Sequence, residues 1–479
     1  MPHSEPLSVL DELFLHVEGP TTHMHVGAVA TFERPAPRLE EVLTLVSSRL
    51  EQIPRARQRV AAGPLGLARA VWVDDPGFDI RRHVLGTKVP PPGDGPALER
   101  LTATIMARPL LRSRPLWELW VADGLADGCW ALVSKTHHAV ADGVSGVEAM
   151  AGLLDARPGA GAGPQGGARP QAGARPEAGA RPEAPTGADW RARPPPTREE
   201  LLGEALARSV ARSARSVRAL RAGLSAPETL AARLSSGASA VAEFVGGALS
   251  APPSTLNRPV GERRRFVTTG ADLAELDRIR SGAGATINDV VLAAVTGGLR
   301  RLLQSRGEAV DELELRAMVP VSTRTAPHAP GAGNQVAAVW ATLPVYEEDA
   351  SARLELIAAH TRALKASGQV SGAQTLAALS DHVPSALLAV AARLAGRQRA
   401  CNLAISNVAG PTVPLYFGGR KMLVVYPVLP LMANTTVSVA VLSYSGRLGF
   451  GLLADQATDD LGVLVEGIEK SIAEMAASG

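Results

Sequence analysis

Between Ala156 and Pro196 the chain carries no large apolar side chain except Trp190, and the hexads ARPQAG, ARPEAG and ARPEAP follow one another without a gap. Such a Pro/Gly/Ala stretch cannot bury enough apolar surface to offset its conformational entropy, so it predicts a flexible linker. The core must therefore be built from the pieces on either side. At about 150 residues per domain, 479 residues allow three domains or two large ones. The boundaries expected are an N-terminal domain over 1–155, the linker over 156–197, a helical connector over 198–254 and a C-terminal domain over 255–479.

Composition narrows the class of those pieces. With 46% hydrophobic and 20% charged residues they read as soluble globular protein, and a net charge of +2 gives no whole-molecule field for nucleic acid. Lysine occurs only at 88, 135, 365, 421 and 470, so nearly every basic side chain is arginine and a single Arg carries little information. Cys129 and Cys401 are too few for a disulfide framework and lack zinc-site spacing; both are expected in the core of a cytoplasmic protein. Met1 to Leu10 shows no cationic end leading into an apolar stretch, so no secretory signal is expected. The longest apolar run, Met422 to Ala433, contains Pro427 and Pro430 and falls short of the ~20 residues of a membrane span.

Periodicity supplies the elements. Cys129 to Lys135 reads as a buried strand and Val144 to Leu154 as a helix, so a strand, a loop and a helix surround His137 to Gly143. After the linker, strand-like runs cover Leu315 to Val321, Val336 to Leu343, Met422 to Tyr426 and Val437 to Tyr444. Helical runs cover Leu273 to Ser281, Ile287 to Gln304 and Ala350 to Lys365. Both halves mix helix and strand, which predicts two α/β layers of similar build. In the connector, Leu206, Val210, Val217, Leu220 and Leu224 fall on one helical stripe, with Arg208, Arg212, Arg215 and Arg218 away from it. Such a basic amphipathic helix packs its stripe either on its own protein or on an anionic membrane surface.

The densest cluster of reactive groups is Lys135-Thr136-His137-His138-Ala139-Val140-Ala141-Asp142-Gly143. A neutral imidazole can take a proton from an alcohol at cellular pH and return it to a leaving group. Asp142 can shape the loop that presents it, and Gly143 lets the backbone turn into the following helix. Two other readings stay open, a metal site and a purely structural pair. Adjacent His residues on a strand point to opposite faces, and no further Asp, Glu or Cys ligand lies nearby, which counts against the metal. Ser145 lacks the second Gly of a nucleophile elbow. No GK[ST] sequence occurs, and Gly282-Ala283-Gly284 is followed by Ile287 where a dinucleotide fingerprint has Gly.

His137-His138 through Asp142-Gly143 is an HHxxxDG motif and resembles the CoA-dependent acyltransferases related to chloramphenicol acetyltransferase. The flanking blocks resemble one branch, the bacterial wax ester synthase/acyl-CoA:diacylglycerol acyltransferases. They are Leu7-Ser8 through Asp11 to Phe14-Leu15, Met24 to Gly27, Arg114-Pro115-Leu116-Trp117-Glu118, Leu256-Asn257 with Gly261 to Phe266, Thr286 to Val290, and Ser406-Asn407-Val408 with Gly410-Pro411. The likeness spans nearly the whole chain except the linker.

The resemblance implies two acetyltransferase-like domains with a tunnel at their interface and the HHxxxDG loop midway along it. His138 matches the general base, His137 a supporting neighbour, and Asp142 the residue that orients the loop. Candidate substrate-binding positions are Gly143, Trp117 of the PLW block, and Asn288 and Asp289 of the ND motif. Trp117 is equally a core aromatic; for Asn288 and Asp289 the structural role is favoured, Asp289 as a helix cap. Asn434 to Ser438 departs from the family, leaving Thr436 or Ser438 either to offer a hydroxyl to the reaction or to pair in a strand.

The implied activity is transfer of a long-chain acyl group from acyl-CoA, the co-substrate, to diacylglycerol, with a long-chain fatty alcohol as the alternative acceptor. Neither a metal nor a cofactor is implied. Apolar substrates and products imply peripheral association with the inner membrane face or lipid droplets. A lipid-binding module that kept the fold and lost the chemistry would use the basic helix alone, and the intact His137, His138 and Asp142 speak against it.

Overall fold

Alternating β-branched and apolar residues bounded by Gly and Pro produce most of the strands, and capped amphipathic runs produce the helices. The computed structural model describes residues 5–63, 69–140, 152–159, 190–197, 199–204, 207, 251–322, 336–366 and 400–478. The first half contains β1 (Glu5–Pro6), α1 (Val9–Val17), β2 (His25–Phe32), α2 (Leu39–Arg49), β3 (Gln58–Ala61), β4 (Val71–Asp74), β5 (Val84–Lys88), α3 (Gly95–Ala107), β6 (Trp117–Asp123) and β7 (Trp130–His137). The second contains β8 (Arg264–Asp272), α4 (Leu273–Gly282), α5 (Ile287–Ser305), β9 (Glu314–Ser322), β10 (Val336–Pro344), α6 (Ala350–Ala366), β11 (Leu403–Val408), β12 (Tyr416–Phe417), β13 (Arg420–Val428), β14 (Val437–Tyr444), β15 (Arg447–Asp455) and α7 (Leu461–Ser478). The strands and helices expected in the C-terminal half are present, shifted by a residue or two at their ends.

Two six-stranded sheets form the frame, in the orders β12-β13-β2-β7-β6-β5 and β10-β9-β11-β14-β15-β8, and a small sheet β1-β4-β3 flanks the first. In the second sheet β11 runs parallel to both neighbours, and the other pairs are antiparallel. One face of this sheet is covered by the long helices. Fourteen residues of α5 are buried, which makes it a core helix and not a surface one. Gly298 lets α5 approach α7 closely, because a Cβ there would lie 2.7 Å from the Leu464 carbonyl oxygen.

The sheets divide differently from the chain. The expected C-terminal domain over 255–479 contains β12 and β13, yet both belong to the N-terminal sheet, where β13 pairs antiparallel with β2 and brings Val425 opposite Ala30. The physical reason is the open edge of β2, whose backbone groups need a partner that local sequence cannot name. Buried Asp155, paired with Arg49 at 2.7 Å, bridges its backbone to Tyr416 and fixes the end of the first half to this crossover. Above β13 runs β15 of the other sheet. Added Cβ atoms at Gly449 and Gly451 would lie 2.4 Å from the Val425 oxygen and 1.9 Å from the Pro427 oxygen, so backbone meets backbone there. Val29, Ala131 and Val133 of the first sheet pack with Phe266, Leu453 and Leu431 of the second half beside this contact.

Several expected features fall outside the described residues: the helix from Val144 except its last turn, most of the linker, and the amphipathic helix Leu206 to Leu224 except position 207. The described end of the linker lies on the N-terminal domain, with Arg57 over the Trp190 ring at 4.9 Å and Arg193 paired to Asp74 at 3.0 Å. Leu201 then packs on Val71 and Val73. Among the described residues no single helix is long and apolar enough to cross a membrane.

The close approach at β15 generates a prediction. Gly451→Ala should cost about 1–3 kcal/mol, because the Pro427 backbone cannot yield as a side chain would. Gly462→Ala, where a Cβ meets nothing within 4 Å, should leave stability unchanged or slightly raised. Denaturant midpoints of the two variants check this, and equal midpoints contradict it.

Candidate active site

The histidine pair sits where β7 ends. In the sheet His25 of β2 lies opposite His137, and the His137 amide donates to the Leu116 carbonyl just before β6, at 3.0 Å. The Pro115-Leu116-Trp117 block thus fixes the end of β7 through its backbone. The chain then turns: the Val140 amide donates to the His137 carbonyl at 2.8 Å and the Ala139 amide to His137 Nδ1 at 3.0 Å. Because it accepts this bond, Nδ1 carries no proton.

Consecutive side chains diverge as strand geometry requires. His137 points inward and is 1% exposed, whereas His138 is half-buried. The His138 amide donates to the Met24 carbonyl at 2.7 Å, and its ring stacks on Phe14 of α1 with centroids 4.1 Å apart and planes inclined by 24°.

Beneath the turn lies a carboxylate that the sequence does not advertise. Glu18 Oε1 is 3.6 Å from Nε2 of both His137 and His25 and 3.9 Å from His23 Nδ1. Its Oε2 accepts from Arg112 Nη2 at 2.7 Å and Nε at 3.2 Å. Burial alone would raise the carboxyl, yet His137 and then Arg112 pull it down to about 2. His25 is held well below the ordinary imidazole range by burial and by the nearby Lys135 charge, and His23 is lowered mainly by burial. Burial thus favours the neutral form of His25 and His23. Although they surround one carboxylate, no group of His, Cys, Asp or Glu among the described residues is arranged to hold a metal ion.

Lys135 is fully buried next to this cluster. Its Nζ donates to the carbonyls of Ile105, at 2.9 Å, and Arg108, and lies 3.6 Å from Glu118; burial lowers its ammonium below the ordinary range. The amine thereby closes the C-terminal end of α3, where the helix leaves carbonyls open. The chain that follows supplies Leu110, whose amide donates to His25 Nε2 at 3.4 Å, and Arg112.

The remaining candidates are placed as follows. Trp117 donates Nε1–H to the Ala56 carbonyl at 2.8 Å and stacks on His83 at 4.7 Å, a packing position in β6. Asp289 completes the cap of α5, accepting from the Thr286 amide at 2.8 Å and the Thr361 hydroxyl at 2.7 Å, while Asn288 is half-buried in the first turn. The Thr436 hydroxyl, just before β14, donates to the Leu256 carbonyl at 3.0 Å, and the Ser438 hydroxyl, within β14, donates to the Leu429 carbonyl at 2.8 Å. Asp142, Gly143 and Ser145 lie outside the described residues. Sequence reasoning missed Phe14, Glu18 and Arg112. Phe14 stood within a quoted block, whereas Glu18 resembled any surface acid at a helix end.

Comparison with known proteins is consistent along the whole chain. Residues 7–291 match the family described as wax ester synthase/diacylglycerol acyltransferase catalytic domain, and residues 332–476 match the C-terminal domain of the same family. A probable diacylglycerol O-acyltransferase of Mycobacterium tuberculosis is 36% identical over 476 residues, covering 98% of this chain and 96% of that protein. A putative diacylglycerol O-acyltransferase of the same organism is 30% identical, covering 98% of this chain and 90% of that protein. Among solved structures, the wax ester synthase/diacylglycerol acyltransferase of Marinobacter aquaeolei superposes with a TM-score of 0.66 at 24% identity, covering 99% of each chain. A starter condensation domain of rhizomide synthetase in complex with C8-CoA gives 0.56 at 14% identity, covering 99% of this chain and 94% of that one. The two structures establish the shared two-domain fold.

The Glu18 carboxylate makes acid stability testable. A glutamate of ordinary 4.5 held at about 2 in the folded chain contributes stability that is complete above pH 4.5 and is lost as pH falls from about 4.5 towards 2. Glu18→Gln should therefore flatten the decline of unfolding free energy over that window relative to wild type. Parallel declines in the two proteins, measured by denaturant unfolding at stepped pH, contradict the assignment.

Proposed function

The chain belongs to the wax ester synthase/diacylglycerol acyltransferase family, and on that premise we propose that it transfers a long-chain acyl group from acyl-CoA to the free hydroxyl of 1,2-diacylglycerol, yielding triacylglycerol and free CoA. The observation that carries the reading is the presentation of His138. Its backbone is tied to Met24 and its ring is half-buried at the end of β7, while His137 is sunk below it.

In this reading the neutral His138 imidazole takes the proton of the acceptor hydroxyl as that oxygen attacks the thioester carbonyl. The tetrahedral oxyanion collapses with cleavage of the C–S bond, and the imidazolium returns its proton to the departing thiolate. No acyl group is carried on the enzyme. Asp142 orients the loop beyond Val140, and the acyl-CoA and lipid approach from opposite sides along the interface of the two halves. Diacylglycerol is favoured as acceptor because the relatives at 36% and 30% identity are named for it. A long-chain alcohol is the second acceptor, since the family description includes wax ester synthesis. Both acceptors and both products are apolar, which supports work at a lipid surface, the inner membrane face or a lipid droplet.

A competition assay tests this directly. One long-chain acyl-CoA is offered with equal diacylglycerol and hexadecanol to wild type and His138→Ala, and the neutral lipids are separated. Triacylglycerol from the wild type and a loss of ~10²–10⁴ in rate for the variant are expected. Mainly wax ester overturns the acceptor, and equal product from both proteins overturns His138 as base.

A further inference from the structure

We propose that Phe14 is a positioning residue for acyl transfer, its ring face holding the His138 imidazole in place and stabilising the imidazolium formed when that ring takes the acceptor's proton. The inference rests on His138 as general base and adds a residue that touches the base and not the substrate. The rings are stacked, with centroids 4.1 Å apart and planes within 24°. This is the separation and attitude at which an aromatic face meets a planar cation.

Both partners are anchored from behind. The helix α1 opens on a reciprocal Ser8–Asp11 capping box, with the Asp11 amide donating to Ser8 Oγ at 3.0 Å. Leu7 and Leu15 are buried with Leu116 and Ala139, so the helix is packed against the very turn that carries His138. The Phe14 carbonyl accepts the Glu18 amide at 3.3 Å, and Arg112 Nη2 donates to the Leu15 carbonyl at 2.6 Å. On the other side His138 is held by the hydrogen bond that its amide donates to the Met24 carbonyl. An imidazole free to turn about two single bonds must be ordered before it can accept a proton along one direction. A fixed ring face removes most of that freedom.

The chemistry depends on the charge state. The face of a phenyl ring is the negative pole of its quadrupole, so it attracts an imidazolium more than a neutral imidazole. The extra attraction exists only once the proton has moved, which is the condition for an interaction to speed the step and not merely tighten binding. The same preference favours protonated His138 in the free enzyme. Removing the face must therefore slow the reaction and, because the neutral ring is the active form, move the acidic limb of the rate profile to lower pH.

Other titratable groups on the packed elements are known. On α1 these are Asp11 in the cap, Glu12, which accepts the Ala70 amide, and His16 at 3.9 Å from Glu12. On the segment leading into β2 they are Glu18 with Arg112, His23 and His25, and on the turn itself His137, with Asp142 beyond the described residues. None of them changes in a Phe14 variant, so a shifted limb reports the ring.

The experiment measures kcat/KM and kcat for acyl-CoA and diacylglycerol from pH 5 to 9 on the full-length protein. It compares wild type, Phe14→Leu, Phe14→Trp and a protein with pentafluorophenylalanine at position 14. Phe14→Leu should lower kcat by about threefold, leave KM for acyl-CoA within about twofold and move the acidic limb down by about half a pH unit. Phe14→Trp should restore both. The fluorinated ring keeps the shape but inverts the polarity of the face, and must move the limb at least as far as Leu. It also carries the test should the Leu variant fail to fold. A limb that stays put with the fluorinated ring overturns the proposal and leaves Phe14 as packing. His138→Ala measured alongside separates the two levels: full activity there refutes the base itself, whatever Phe14 does.

Discussion

The fold depends on one strand that serves both halves. By hydrogen bonding, β13 is the neighbour of β2 in the N-terminal sheet, and by contact it is the floor on which Gly449 and Gly451 of β15 rest. The histidine turn lies at the end of β7, which pairs with β2. From the histidine turn to the second half, the path therefore runs through two rows of backbone hydrogen bonds and one backbone-to-backbone contact with no room for an added methyl group. Arg264 reinforces it from the other side, donating from one guanidinium to the carbonyls of Thr21 and, at 2.7 Å, Gly261. It joins the start of β8 to the segment that carries Glu18, His23 and His25.

Charge is then arranged around that frame. Fully buried Lys135 is satisfied by helix-end carbonyls with Glu118 at 3.6 Å, and Glu18 is satisfied by Arg112. A buried ion without such partners would cost far more than it returns. Burial and the Lys135 charge favour neutral His25, and the Ala139 amide occupies Nδ1 of His137, leaving the half-buried His138 as the imidazole presented at the turn. His23, His25 and His137 all face the Glu18 carboxylate. Their number in so small a volume follows from the sheet register, which sets His25 opposite His137.

Much of this was legible in the sequence. The HHxxxDG residues, the helix after Thr286 and the strands of the second half follow from local pattern. Asp289 does serve the cap of α5, but from the third position of the helix, with Thr286 as the N-cap residue. The strand assignment of β13 was also legible, because apolar alternation is local, but its sheet was not, because pairing with β2 joins residues far apart in the chain. The same limit hid the support of the site. Glu18 and Arg112 are 94 positions apart, and nothing in either neighbourhood marks them as partners. Trp117 shows the converse: a motif residue whose indole proves to serve packing, while the carbonyl before it fixes the end of β7.

The central claim is direct transfer, with His138 activating the acceptor and no acyl group resting on the protein. It is tested most directly by rapidly mixing the protein with stoichiometric acyl-CoA in the absence of any acceptor, then quantifying free CoA chromatographically and the intact protein by mass. The account predicts neither a burst of CoA nor an acyl adduct until diacylglycerol is added. A stoichiometric burst with a matching gain in protein mass would contradict it.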